Sequence, residues 1–163
     1  MTRTIILTLA LALLTGVAIA ADNDNITVNY VLSAIKDIEF NEASVSLDIN
    51  SSTDGEYDSS MASTTYDYSC NSETSQKITA TLNSDVAETG ITLHVQIDKP
   101  SDGVMGTLYD ISNGFTAGVV VATAISATSA SALDINFSLE ATTAATAFSS
   151  TNKVCTFTVA DVS

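Results

Sequence analysis

The chain has 163 residues, with 19 Asp and Glu against five Lys and Arg and a formal net charge of −14. Phosphate backbones are held through Lys and Arg, so nucleic acid is excluded as a partner. Anionic membrane surfaces and acidic ligands are disfavoured on the same ground.

The opening Met1-Thr2-Arg3-Thr4 carries one positive charge, and Ile5 to Leu14 are apolar apart from Thr8. Thr15-Gly16 and Val17-Ala18-Ile19-Ala20 follow. This order of charged, apolar and small residues is what export machinery and signal peptidase read. It predicts a signal peptide over residues 1–20, cut before Ala21, with Ala18 and Ala20 in the peptidase pockets. The apolar run could span a bilayer, which takes about 17–25 residues. The abrupt switch to Asp22-Asn23-Asp24-Asn25 fits cleavage better than an anchor. Residues 21–163 then form a single domain, long enough to bury a core. It keeps only Lys36, Lys77, Lys99 and Lys153 against all 19 acids. The expected location is extracellular or on a bacterial cell surface, with the periplasm as the alternative and no stable membrane insertion.

Period-two alternation dominates the rest. Ile26, Val28, Tyr30 and Leu32 alternate with Thr27, Asn29, Val31 and Ser33. The same pattern recurs at Val45, Leu47 and Ile49; at Tyr66, Tyr68 and Cys70; and at Ile78, Ala80 and Leu82. It returns at Ile91, Leu93, Val95 and Ile97; at Leu133, Ile135, Phe137 and Leu139; and at Cys155, Phe157 and Val159. Successive side chains of a strand point to opposite faces, so each run offers one face to a core and one to water, as in antiparallel sheets. Turn residues separate the runs, as at Asn50 to Gly55, Asn71 to Thr74, Asn83 to Asp85 and Asp98 to Gly103. The fold class predicted is all-β: an antiparallel two-sheet sandwich, immunoglobulin-like with Greek-key connections and seven or eight strands.

Between Asp110 and Asp134 there is no charge, and Val119-Val120-Val121-Ala122 is strongly apolar. The interleaved Ser and Thr and the acidic flanks argue against a second membrane span. A buried strand followed by a Ser/Ala-rich loop is expected instead.

Cys70 and Cys155 each lie on the apolar parity of their run. In an exported chain that points to a core disulfide, closing a loop worth about 4 kcal/mol in the chain-entropy model. Asp54, Glu56 and Asp58 place three carboxylates at alternate positions of a turn. Calcium takes such oxygen ligands, but no Gly at the sixth position and no closing Glu at the twelfth complete a loop, so a solvated acidic turn is expected and calcium is the sole cofactor candidate. His94, the only histidine, falls on the polar parity with Thr92 and Gln96, whereas a Ser-His-Asp relay needs an oriented, buried imidazole. Acid pairs are too common to single out a glycosidase pair. For sugars there is no Trp, and Tyr57 and Tyr109 stand alone as exposed platforms. Three glycosylation sequons begin at Asn25, Asn50 and Asn136.

Thr65-Tyr66-Asp67-Tyr68, Gln76 to Ser84, Gly90 to Val95 and Val154 to Val159 resemble small secreted bacterial β-sandwich proteins. The layout is more distantly similar to pilin and fibre subunits. It departs from chaperone-assembled pilins in ending Ala160-Asp161-Val162-Ser163, without a tyrosine near the C-terminus. The resemblance implies no functional residues. The expected function is a non-enzymatic extracellular structural protein, a fibre or surface-layer subunit assembling by strand addition. Ile26, Val28, Tyr30 and Leu32 would carry self-association. The alternative is a monomeric secreted module binding glycans or other cell-surface proteins.

Overall fold

The computed structural model describes residues 27–162. The expected signal peptide, its expected cleavage site and Ile26 lie outside the described residues. Eleven strands are present among those described, and they run in chain order: β1 (Lys36–Phe40), β2 (Ser52–Thr53), β3 (Glu56–Tyr57), β4 (Ser60–Cys70), β5 (Gln76–Leu82), β6 (Ile91–Lys99), β7 (Val104–Met105), β8 (Tyr109–Asp110), β9 (Val119–Ile125), β10 (Thr128–Ala141) and β11 (Cys155–Asp161). One sheet has the order β1-β4-β10-β6-β7, with β8 also on β6, and the second has the order β11-β5-β9. All pairings are antiparallel. The fold is thus the all-β antiparallel sandwich that the alternation implies.

Parity in the sequence becomes the inside of the sandwich. Tyr66, Tyr68 and Cys70 of β4, Ile78, Ala80 and Leu82 of β5, and Leu93, Val95 and Ile97 of β6 are buried. Val121, Ala122 and Ile125 of β9 and Leu133 and Ile135 of β10 complete the core with Ile111. Burying a side chain of this size is worth about 1.5–3 kcal/mol. Tyr66 donates its hydroxyl to the Asp98 carbonyl, and burial pushes the phenols of Tyr66 and Tyr68 well above their ordinary value.

Three elements differ from the sequence reading. Residues 27–33 alternate but form no strand. The place beside β4 is taken by β1, whose Ile38 and Phe40 sit opposite Tyr68 and Tyr66. Three charges in that five-residue segment hide its alternation. The expected Ser/Ala-rich loop is mostly strand: β10 starts at Thr128, and Ser129 and Ala130 pair with Ser69 and Tyr68. A bulge follows before Leu133, with Ala132 at φ 54°, and Asp67 Oδ1 accepts the Ala132 N–H at 2.8 Å. Finally, Val45, Leu47 and Ile49 are half-buried between exposed neighbours, yet residues 42–50 join no sheet.

Residues 33–162 belong to one compact unit, and residues 27–32 lie outside it. Among the described residues no helix is long and apolar enough to cross a membrane.

Candidate functional site

A sandwich exposes the outer backbone of its edge strands, and unpaired edges are templates for further pairing unless charge, shortness or irregularity protects them. Most edges here are protected. β1 is five residues long and carries Lys36, Asp37 and Glu39. β7 and β8 have two residues each. β9 meets β5 with two register shifts and has Ala124 at φ 55°.

The edge of β11 is different. Its seven residues pair with β5 without interruption, from Cys155 opposite Leu82 to Asp161 opposite Gln76. Among the described residues nothing pairs with its other edge, and Asp161 at its end is its only charge. The Val154 carbonyl and the Val162 N–H both bond toward the β5 side. Backbone groups alternate sides along an antiparallel strand. The N–H and C=O of Cys155, Phe157 and Val159 therefore point out along the open edge.

The core is also incompletely closed beside this edge. Ser60, Ala62 and Thr64 of β4, Phe137 and Leu139 of β10, and Phe157 of β11 face inward but remain half-buried. Phe157 stacks against Phe40 at 5.0 Å and meets Phe137 edge-on at 6.4 Å between centroids. Thr64 Oγ1 is buried with no hydrogen-bond partner among the described residues. The first half of β4 pairs with β10 on one side only, because β1 reaches no further than Tyr66. The result is a half-buried corner, aromatic and aliphatic on the β10 and β11 sides, bounded by two unladdered edges. Nothing in the sequence marked it, because which strand lies at an edge depends on non-local pairing.

The residues singled out by sequence fall elsewhere. Cys70 and Cys155 are not joined; both are free thiols. Parity placed both on inward faces, and that was right, but register separates them. Lys36 lies opposite Cys70 in the sheet, and its ammonium reaches Asp161 at the far end of β11. Cys155 is six residues back along that strand, about 20 Å at the rise of a β-strand. A disulfide requires Cα atoms within about 7 Å. Burial pushes the Cys155 thiol up to about 12.

Asp54 and Gly55 form the two-residue turn between β2 and β3, with φ of 55° and 89°. Both left-handed positions are what a type I′ hairpin requires. Asp58 accepts the Ser51 hydroxyl at 2.6 Å, and this bond with Thr53 holds its carboxyl below the ordinary value. Asp54, Glu56 and Asp58 do not converge, and among the described residues no three His, Cys, Asp or Glu side chains do so as metal ligands. His94 lies in a cross-strand row between Ser138 and Asp110. Its Nδ1 is buried without a hydrogen bond, 4.0 Å from Glu140, while Asp110 Oδ1 accepts the Ser112 N–H. The row is therefore not a hydrogen-bonded relay. Tyr109 packs on the core rather than standing free, and Tyr57 is exposed. Val28, Tyr30 and Leu32 are exposed side chains outside any strand.

No protein-family model matches the sequence, and no curated protein matches it either.

Proposed function

We propose that this chain is a non-enzymatic, exported structural subunit that assembles with copies of itself by strand addition at the cell surface or outside the cell. Residues 26–32 of one copy extend along the open edge of β11 in the next, and Ile26, Val28, Tyr30 and Leu32 enter the half-open corner. The observation that carries this reading is the seven-residue, nearly uncharged, regular edge of β11 beside inward side chains that their own sandwich leaves half-buried.

The physical fit supports it. Donor and acceptor are each seven residues long. Residues 25–35 carry no charge, so they approach another acidic copy with little repulsion. Each apolar side chain buried is worth about 1.5–3 kcal/mol, and each new sheet hydrogen bond about 1 kcal/mol.

Electron microscopy of the exported protein tests the reading. Filaments or sheets are expected from the native chain, with loss of both in Tyr30→Asp. Dispersed particles of monomer size from the native chain overturn it.

A further inference from the structure

We propose that residues 42–50 are an internal placeholder that occupies the acceptor corner until the strand of a second copy displaces them. This inference rests on the strand-addition reading.

Three observations converge. First, Val45-Ser46-Leu47-Asp48-Ile49 matches Ile26-Thr27-Val28-Asn29-Tyr30 position by position: branched aliphatic, hydroxyl, aliphatic, Asp or Asn, bulky apolar. Second, Val45, Leu47 and Ile49 are half-buried between exposed Ser46, Asp48 and Asn50, and Leu47 packs against the core. Third, the segment makes no ladder. It leaves β4 after the Asn41 N–H bonds the Thr65 carbonyl at 3.0 Å. It next touches β4 through the Asp48 N–H and the Ser60 hydroxyl at 2.9 Å. Between these points a shallow polar depression of about 280 Å³, lined by Asn41, Glu42, Ser63, Thr64, Thr65 and Asp134, opens beside the strand.

The placeholder is held by side chains and almost no backbone bonds. A donor strand offers the same alternation of side chains and can add sheet hydrogen bonds, each favourable by itself. It also carries Asn29 where the placeholder carries Asp48, so the inserted strand brings no charge of its own into the corner. Exchange of the two therefore favours assembly, while each separate copy keeps its corner partly covered.

The chain has no tryptophan, so Leu47→Trp installs a single indole on the placeholder. A synthetic peptide of residues 25–33 is titrated into the full exported chain carrying that substitution, with binding read by anisotropy and displacement by indole emission. Saturable binding with a matching red shift is expected. In Leu47→Asn, which weakens the placeholder's hold, the peptide is expected to bind about tenfold tighter. Ile49→Trp reports the same displacement if Leu47→Trp does not fold. Binding without a shift in either variant, and without tightening in Leu47→Asn, overturns the placeholder and leaves strand addition standing. No binding to the native chain or to Leu47→Asn overturns both.

Discussion

Lys36, the first residue of β1, places Nζ 2.8 Å from Oδ1 of Asp161, the last residue of β11. The contact joins the edge strands of the two sheets at the end of the sandwich opposite the open corner. Thr74 and Gln76 donate to the same carboxylate oxygen, Gln76 at 2.7 Å. The buried Gln76 thus gains a charged acceptor where the Ile78 row of the core ends. The sandwich is latched at one end of its β1–β11 side and left open at the other.

The latch has a pH signature. Hydrogen bonds from Lys36, Thr74 and Gln76 hold the Asp161 carboxyl well below the ordinary carboxylate value. A depressed folded-state value means stability that is present above the unfolded value, about 4, and lost as pH falls below it. Asp161→Asn is therefore expected to lower the melting temperature at pH 7, and the gap from the native chain should close progressively below pH 4. A gap independent of pH would show that the charge of Asp161 does not matter.

Thiol chemistry follows from the separation of the cysteines. Both should be reduced and slow to label in the native state at pH 8, because Cys70 is buried and Cys155 is pushed up to about 12. Unfolding in urea without reductant should expose two reactive thiols per chain. Recovery of none would mean that the strands rearrange to join them.

Core substitutions should report the unequal closure of the sandwich. Ile78 is fully buried, and Ile78→Ala should cost about 2–5 kcal/mol in urea unfolding. Leu139 faces the open corner half-buried, and Leu139→Ala should cost about 1 kcal/mol. Equal losses would contradict the open corner.

Two glycines separate backbone conformation from space. Both Gly55 and Gly90 have positive φ. A Cβ on Gly55 meets nothing, whereas on Gly90 it lies 2.6 Å from Thr142 Oγ1 and 2.9 Å from the Ala145 nitrogen. Gly55→Ala should cost about 1 kcal/mol and Gly90→Ala clearly more, as measured by thermal melts.

What the sequence disclosed and what it withheld divide along locality. Parity within a run is local, so the inward faces of β4, β5, β6, β10 and β11 were legible from their alternation. Register and neighbourhood are not local. Cys70 and Cys155 shared the right faces but stand at opposite ends, because nothing in either run fixes where it lies along the other. β1 was hidden by Lys36, Asp37 and Glu39, charges that suit a protected edge. Residues 45–49 looked like a strand because their side chains are used as a strand's are, while their backbone is not. The β11 edge was invisible for a further reason: openness is a property of the absent neighbour.

Strand addition at β11 is tested most directly by one substitution. Val159 points its N–H outward along the open edge, so Val159→Pro deletes one acceptor-site donor and leaves the β5–β11 ladder intact; proline is tolerated on edge strands. Sedimentation of the native chain and of this variant, at rising concentration and salt, is the measurement. The native chain should self-associate, more strongly as salt screens its acidic surface, and Val159→Pro should remain a folded monomer. A native chain that stays monomeric throughout, or a variant that assembles as the native chain does, would contradict the account.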